Sequence, residues 1–423
     1  MNGFKKTGVS VKRNRLLSVA GIVAVAAAGL LLRCETASGP TPYRVFDGKT
    51  YSSTSITIGT GSKIIEIPAS LPIAGGGRRV RISNESGDLV MNGVIISYER
   101  TSGELTVDVE NVDGTGTDDK WDVVLGKTDA ELQDSIRAAY SALGFGMFIH
   151  FNMSTFDRCC CDTCYSVSGE WGFAKVDMAQ FAPSKLDCGQ WADVAKSAGC
   201  TYMVLTAKHH DGFCIWPSEK TEYCVKNAGI KRDIVREFVD SARTRGLKVG
   251  LYYSIRDLSN GFKMDFVEGQ LTELLSNYGE IICLWFDGWG WGPGYNNVPY
   301  DAVRRIIKKS QPNCLIVENN HEYNTIHSEI IEYEMPIDGP PPLSNIRPAE
   351  GNEPIRLDDC WFWHPEKECE ILPAQRIVDQ LEENNSRHAS YLLDLTPDTT
   401  GLIPECQVQR MKEVGELRGI SQE

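Results

Sequence analysis

Residues 281–288 read Ile-Ile-Cys-Leu-Trp-Phe-Asp-Gly, an apolar run of strand length stopped by a glycine. Such a run is expected for a strand buried on both faces, as in a parallel sheet. Its last side chain is a carboxylate, Asp287. An acid there is either a turn former ahead of Gly288 or a group presented from the end of a buried strand. The flanking chain has to decide between them.

Working outward, the texture from Ala130 onward alternates strands with amphipathic helices. Strands are expected at Phe145 to His150, Tyr202 to Ala207, Lys248 to Ser254, Ile281 to Asp287, Leu315 to Asn319, Ile330 to Met335, Cys360 to His364 and Tyr391 to Leu395. Eight such strands in roughly 260 residues is the rhythm of a (β/α)8 barrel. A doubly wound sheet is the competitor, but no Gly-rich phosphate loop follows the first strand. The fold class is therefore α/β, a (β/α)8-type barrel over residues 130–423. Before it, residues 41–126 carry short β-type runs separated by Gly, Asn, Asp and Ser turns, a small N-terminal all-β domain.

Residues 1–40 read as a targeting segment. Lys5, Lys6, Lys12, Arg13 and Arg15 precede an uncharged apolar run from Leu16 to Leu32. Export is expected, as a cleaved signal peptide, a lipoprotein at Cys34 or an uncleaved membrane anchor. The formal net charge of -14 argues against a nucleic-acid partner, which needs clustered Lys and Arg. Of the 14 cysteines, Cys200, Cys283 and Cys314 lie in apolar runs and read as small core residues. Cys159, Cys160, Cys161 and Cys164 fall in a polar loop, where local disulfides are expected. No second ligand pair with zinc spacing accompanies them, so neither a metal nor another cofactor is expected.

In a barrel the C-terminal strand ends build the site. Here they carry His150, His209, His210, Tyr252, Asp287, Asn319, Glu332, Trp361, Trp363 and His364. His209 and His210 are adjacent, so on a strand their side chains diverge and joint chelation is disfavoured. No Gly-x-Ser-x-Gly elbow is present, which removes the serine hydrolase reading. Trp361 and Trp363 are either core or an apolar platform for a sugar ring. Carboxylates on different strands, with histidines and tryptophans around them, suit glycoside hydrolysis, where one acid attacks and another protonates the leaving oxygen.

Phe145-Gly-Met-Phe-Ile-His-Phe-Asn-Met-Ser-Thr-Phe, Gly169-Glu-Trp-Gly, Leu205-Thr-Ala-Lys-His-His-Asp-Gly-Phe, Gly250-Leu-Tyr-Tyr-Ser and Leu284-Trp-Phe-Asp-Gly closely resemble the α-L-fucosidase family, glycoside hydrolase family 29. The resemblance covers about residues 140–400. It implies a retaining exo-acting barrel enzyme whose partner is a fucosylated glycan. By motif position it implies Asp287 as nucleophile, and His150, Glu170, Trp171, His209, His210 and Tyr252 as sugar-binding residues. The acid/base is expected at Glu332, with Glu334 and Glu329 as alternatives. The family's Asn near the last strand is Asp394 here, and its C-terminal β-sandwich has no counterpart after the eighth strand. The N-terminal β module resembles phage tail-fibre and virion modules, which implies a spacer or adhesive role. Two other readings stay open: a barrel glycosidase for a related sugar such as galactose, and a catalytically silent fucose-binding protein.

Overall fold

The computed structural model describes residues 49–69, 77–156, 176–319 and 328–421. Strands β1 (Lys49–Ser52), β2 (Ile56–Thr57), β3 (Gly61–Glu66), β4 (Arg78–Asn84), β5 (Val90–Glu99), β6 (Glu104–Asp113), β7 (Thr117–Asp118) and β8 (Trp121–Thr128) come first. Six of them form an antiparallel sheet in the order β1-β8-β4-β5-β6-β3, and β2 pairs with β7. Alternation along each strand buries one face through Ile65, Val80, Ile82, Ile95, Leu105, Val107, Trp121 and Val123. The other face carries exposed charge, including the Arg79–Glu110 pair at 2.6 Å.

After helix α1 (Asp129–Ser141) the chain enters a parallel eight-stranded sheet. Its strands are β9 (Phe145–Ile149), β10 (Tyr202–Lys208), β11 (Lys248–Ser254), β12 (Cys283–Asp287), β13 (Leu315–Glu318), β14 (Ile331–Glu334), β15 (Ala349–Pro354) and β16 (Ala389–Leu395). The sheet order is β13-β12-β11-β10-β9-β16-β15-β14, and a parallel bridge from Val317 to Ile330 closes the ring. This is a (β/α)8 barrel. Inward side chains, among them Phe148, Tyr202, Val204, Tyr252, Trp285, Val317 and Leu392, fill its interior. Outward ones pack under the helices in a larger cluster that includes Trp191, Phe238, Leu271, Phe286 and Leu393. Two strand glycines make the interior fit. A Cβ on Gly146 would lie 2.3 Å from the Tyr202 ring, and one on Gly250 would lie 2.5 Å from Cys283 Sγ.

The outer layer comprises α2 (Cys188–Ser197), α3 (Ile234–Thr244), α4 (Met264–Asn277), α5 (Gly294–Asn297), α6 (Tyr300–Ser310), α7 (Met335–Asp338), α8 (Ala374–Ser386) and α9 (Glu405–Leu417). Asp187 and Asp233 cap α2 and α3 by accepting from backbone N–H groups. The connection from β14 to β15 holds only the single turn of α7.

One expected strand is elsewhere. Residues 360–364 are loop, and the seventh barrel strand is Ala349–Pro354. The sequence Ala-Glu-Gly-Asn-Glu-Pro lacks the apolar and β-branched residues that mark a strand, because its inward positions are polar and hydrogen-bonded inside the barrel. The loop after it is tied to α9 by the disulfide Cys369–Cys406. Cys200, Cys283 and Cys314 are buried free thiols. The Cys159–Cys164 cluster lies outside the described residues.

Candidate active site

Asp287 ends β12, where the backbone turns through Gly288 at φ 62°. Its Oδ1 accepts from the Gly288 N–H at 2.5 Å, and its Oδ2 accepts from the Tyr252 hydroxyl at 2.8 Å. The Asp287 side chain is 13% exposed, so it is held yet open to the barrel mouth. Glycine is needed at 288 both for the positive φ and for space, since a Cβ there would meet Arg256 Cβ at 2.6 Å.

Three imidazoles cluster at this end of the barrel, one of them beside the carboxylate. His210 Nε2 lies 3.6 Å from Asp287 Oδ2. The other nitrogen, Nδ1, is 2.6 Å from Ser254 Oγ, whose own proton goes to the Arg256 carbonyl at 2.6 Å. Nδ1 must therefore donate. Burial, reinforced by His209, Arg256, His150 and Lys208, pushes His210 well below its ordinary pKa, so the ring is neutral and Nε2 carries an acceptor lone pair. Two acceptors 3.6 Å apart form a place for a donor, such as a sugar hydroxyl.

His150 repeats the arrangement. Its Nδ1 lies 2.7 Å from Asp394 Oδ1, which also accepts the His150 backbone N–H at 3.1 Å. Burial and then the neighbouring His209 ring hold His150 neutral, leaving Nε2 as an acceptor. His209 is lowered to about 3 by burial alone, and its Nδ1 has no hydrogen-bond partner among the described residues. Its ring stacks on Tyr252 at 5.5 Å and sits 5.9 Å from His150 and 4.3 Å from His210. The divergence expected for His209 and His210 on a strand is not found: both sit in a turn after β10, with their rings close together. Both still reach one cavity wall. The described residues hold no group of three His, Cys, Asp or Glu side chains arranged for a metal.

An apolar wall faces these rings. Trp361 lies 5.2 Å from His150, and Phe362 lies 5.3 Å from His150 and 4.9 Å from His209. Trp363 instead turns its indole N–H to Glu368 at 2.7 Å. The alternation assumed for a strand does not apply to this loop, which is why Phe362 joins the site. On the opposite rim Arg256 lies 5.1 Å over the Trp291 ring, which is 5.3 Å from His210. Arg256, Trp291 and Phe362 were not foreseen from sequence; the Trp-Phe-Trp run was the only signal for any of them. Glu170 and Trp171 lie outside the described residues.

The remaining carboxyls separate by height. Phe286 pairs with Glu318, and Val317 with Ile330, so the ladder runs from Asp287 through Asn319 to Glu332. In a barrel of this type the ladder descends by about one residue per strand, for a shear of about eight. The paired registers of β14, β15, β16, β9, β10, β11 and β12 carry it down in this sense. Two strands on, the residue level with Asp287 is therefore Glu334. Glu332 points inward one layer lower, is fully buried and accepts from Asn352 Nδ2. Burial, with Glu334 beside it, pushes its carboxyl well above the ordinary range. Glu334 accepts from Asn319 Nδ2 at 2.7 Å. Glu329 precedes β14 at the opposite, N-terminal end and is paired with Lys308 at 2.7 Å and Arg304 at 3.1 Å, so it belongs to the outer wall. Glu318 adds a carboxyl that sequence reading passed over. It is buried beneath Tyr295, which donates to it, and is pushed up to about 8 by burial and the Asp287 charge.

Residues 123–418 match the family model described as Alpha-L-fucosidase. The chain belongs to the α-L-fucosidase family. Alpha-L-fucosidase 1 of Arabidopsis thaliana is 31% identical over 304 residues, covering 64% of this chain and 57% of its own. Tissue alpha-L-fucosidase of Homo sapiens is 28% identical over 272 residues, covering 60% and 58%. Among solved structures, alpha-L-fucosidase isoenzyme 1 from Paenibacillus thiaminolyticus superposes with a TM-score of 0.57 at 28% identity, covering 69% of this chain and 76% of that one. The chain spans somewhat over half the length of the curated relatives it matches. Within this α-L-fucosidase family chain the match contains every barrel strand and the whole ring of polar side chains around Asp287.

Proposed function

We propose that this chain is a retaining exo-α-L-fucosidase that removes terminal α-L-fucose from glycans. The observation that carries the reading is the fixed, mouth-facing carboxylate of Asp287 beside two imidazole lone pairs. Asp287 attacks the anomeric carbon as the glycosidic bond breaks, giving a covalent glycosyl-enzyme. Water then displaces the carboxylate. The Nε2 atoms of His150 and His210 accept hydrogen bonds from sugar hydroxyls, and His209 Nδ1 supplies a third polar contact. The Trp361–Phe362 wall packs the apolar face and C6 methyl of fucose. That wall favours fucose over galactose, which carries a hydroxyl at the same carbon.

The acid/base role passes from Glu332 to Glu334, because Glu334 is level with Asp287 while Glu332 is sealed a layer below. Export through the N-terminal segment is part of the same proposal, resting on its basic residues and the apolar run of residues 16–32.

The experiment compares turnover of nitrophenyl α-L-fucoside and α-galactoside by the full chain, and then by two sets of variants. Asp287→Gly is expected to lose about a thousandfold in rate, with azide restoring turnover as a β-fucosyl azide. Glu334→Ala is expected to slow poor leaving groups far more than activated aryl ones. If Glu332→Ala carries that pattern instead, the acid assignment moves back there. Equal turnover of neither glycoside would leave a sugar-binding protein.

A further inference from the structure

Beneath the sugar site lies a carboxylate that the mechanism above does not use. Glu350 is on β15, fully buried inside the barrel. Its Oε2 accepts from Tyr202 Oη at 2.6 Å, Tyr140 Oη at 2.8 Å and Ser390 Oγ at 3.3 Å. Its Oε1 accepts from Trp285 Nε1 at 3.0 Å. Four donors from α1, β10, β12 and β16 thus converge on one side chain. An indole N–H can only donate, so Oε1 must remain an acceptor.

The Trp285 contact leads upward. The Trp285 ring stacks on Tyr252 with centroids 5.4 Å apart and planes 19° from parallel. The Tyr252 hydroxyl donates to Asp287 Oδ2 at 2.8 Å. Trp285 also precedes Asp287 by two positions on the same inward face of β12. Removing the Glu350 acceptor would free the indole to rotate. Tyr252 would then lose the flat surface that sets its ring, and the nucleophile would lose an aligned donor.

We propose that Glu350 is a positioning residue for catalysis, acting through the Trp285 indole and the Tyr252 hydroxyl to hold the Asp287 carboxylate for attack. The proposal rests on the fucosidase reading for its kinetic test. Glu350 touches no substrate and transfers no proton. Its effect is felt in the chemical step rather than in sugar binding.

The test is kinetic and uses the full chain. Glu350→Leu, which removes the acceptor, is expected to lower kcat on nitrophenyl α-L-fucoside about tenfold while KM stays within about twofold. The acid limb of the pH profile should move upward, because Asp287 loses hydrogen bonding to its charged form. In a Tyr252→Phe background, which cuts the last link, Glu350→Leu should add less than about twofold. Trp285→Phe keeps an aromatic ring beside Tyr252 but deletes the N–H, and should reproduce both effects if Glu350→Leu fails to fold. An unchanged kcat and acid limb, or an equal loss in both backgrounds, would overturn the proposal. If the wild type turns over no fucoside, the fucosidase reading fails separately. The relay is then read from the Asp287 carboxyl titration by carbon NMR, where no upward shift in the variant refutes it.

Discussion

At the scale of single residues, the site is made from groups kept in their uncharged forms by burial. Each of His150, His209 and His210 is neutral in the fold, whereas an unfolded chain would protonate it near pH 6.5. With the folded pKa depressed, the unfolded chain binds more protons between those values. The stability these rings contribute is thus present above about pH 6.5 and is lost as the pH falls; for His209 the loss completes near its folded value of about 3. Urea unfolding at pH 7 and pH 4.5 should show this loss, and His209→Gln should flatten it. Asp211, in the turn that carries the histidines, behaves in the opposite sense. Burial raises it to about 7, although Tyr223 and the Phe213 N–H donate to it. The folded chain keeps this proton where the unfolded chain has lost it, so the group's stability is present below about pH 4 and is lost as the pH rises to about 7. Asp211→Asn should therefore stabilise the protein at pH 8 and leave it unchanged at pH 4 in the same unfolding assay. Neither shift could be read from sequence, since each depends on what packs around the turn.

At the scale of elements, the strands that were legible are those whose both faces are apolar. Phe145–Ile149, Tyr202–Lys208 and Cys283–Asp287 announce themselves by composition. Ala349–Pro354 does not, because Glu350 and Asn352 face inward and are paired there. The same hidden polarity bears on the proposed acid. Glu332 and Glu334 look equivalent along the chain, and only the stagger of the closed sheet separates their heights. The strand glycines were legible as motif letters but not as packing. Gly146→Ala should destabilise the barrel by roughly 1–3 kcal/mol, because the added methyl must displace the Tyr202 ring or the strand. A urea melt measures it, and a variant as stable as the parent would show that the ring has room to yield.

For the whole molecule, family and barrel were readable from local motifs, while the closure of the site was not. The loop holding Trp361 and Phe362 is tied at Cys369 to Cys406 on α9, a pairing that spans 37 residues and has no sequence signature. Replacing both cysteines by serine should cost roughly 2–4 kcal/mol in a denaturant melt. It should also raise KM for fucosides more than it lowers kcat, since the tied loop forms the apolar wall and not the nucleophile. An equal effect on both would place the loop closer to the chemistry than its contacts indicate.

Tyr140 has a practical consequence for dissecting the protein. It belongs to α1, ahead of the first barrel strand, yet its hydroxyl reaches into the ring to meet Glu350. A catalytic fragment trimmed to begin at Phe145 would contain all eight strands and still lack the stopper that its lower opening was shaped around. The usable cut for excising the barrel therefore lies on the N-terminal side of Asp129.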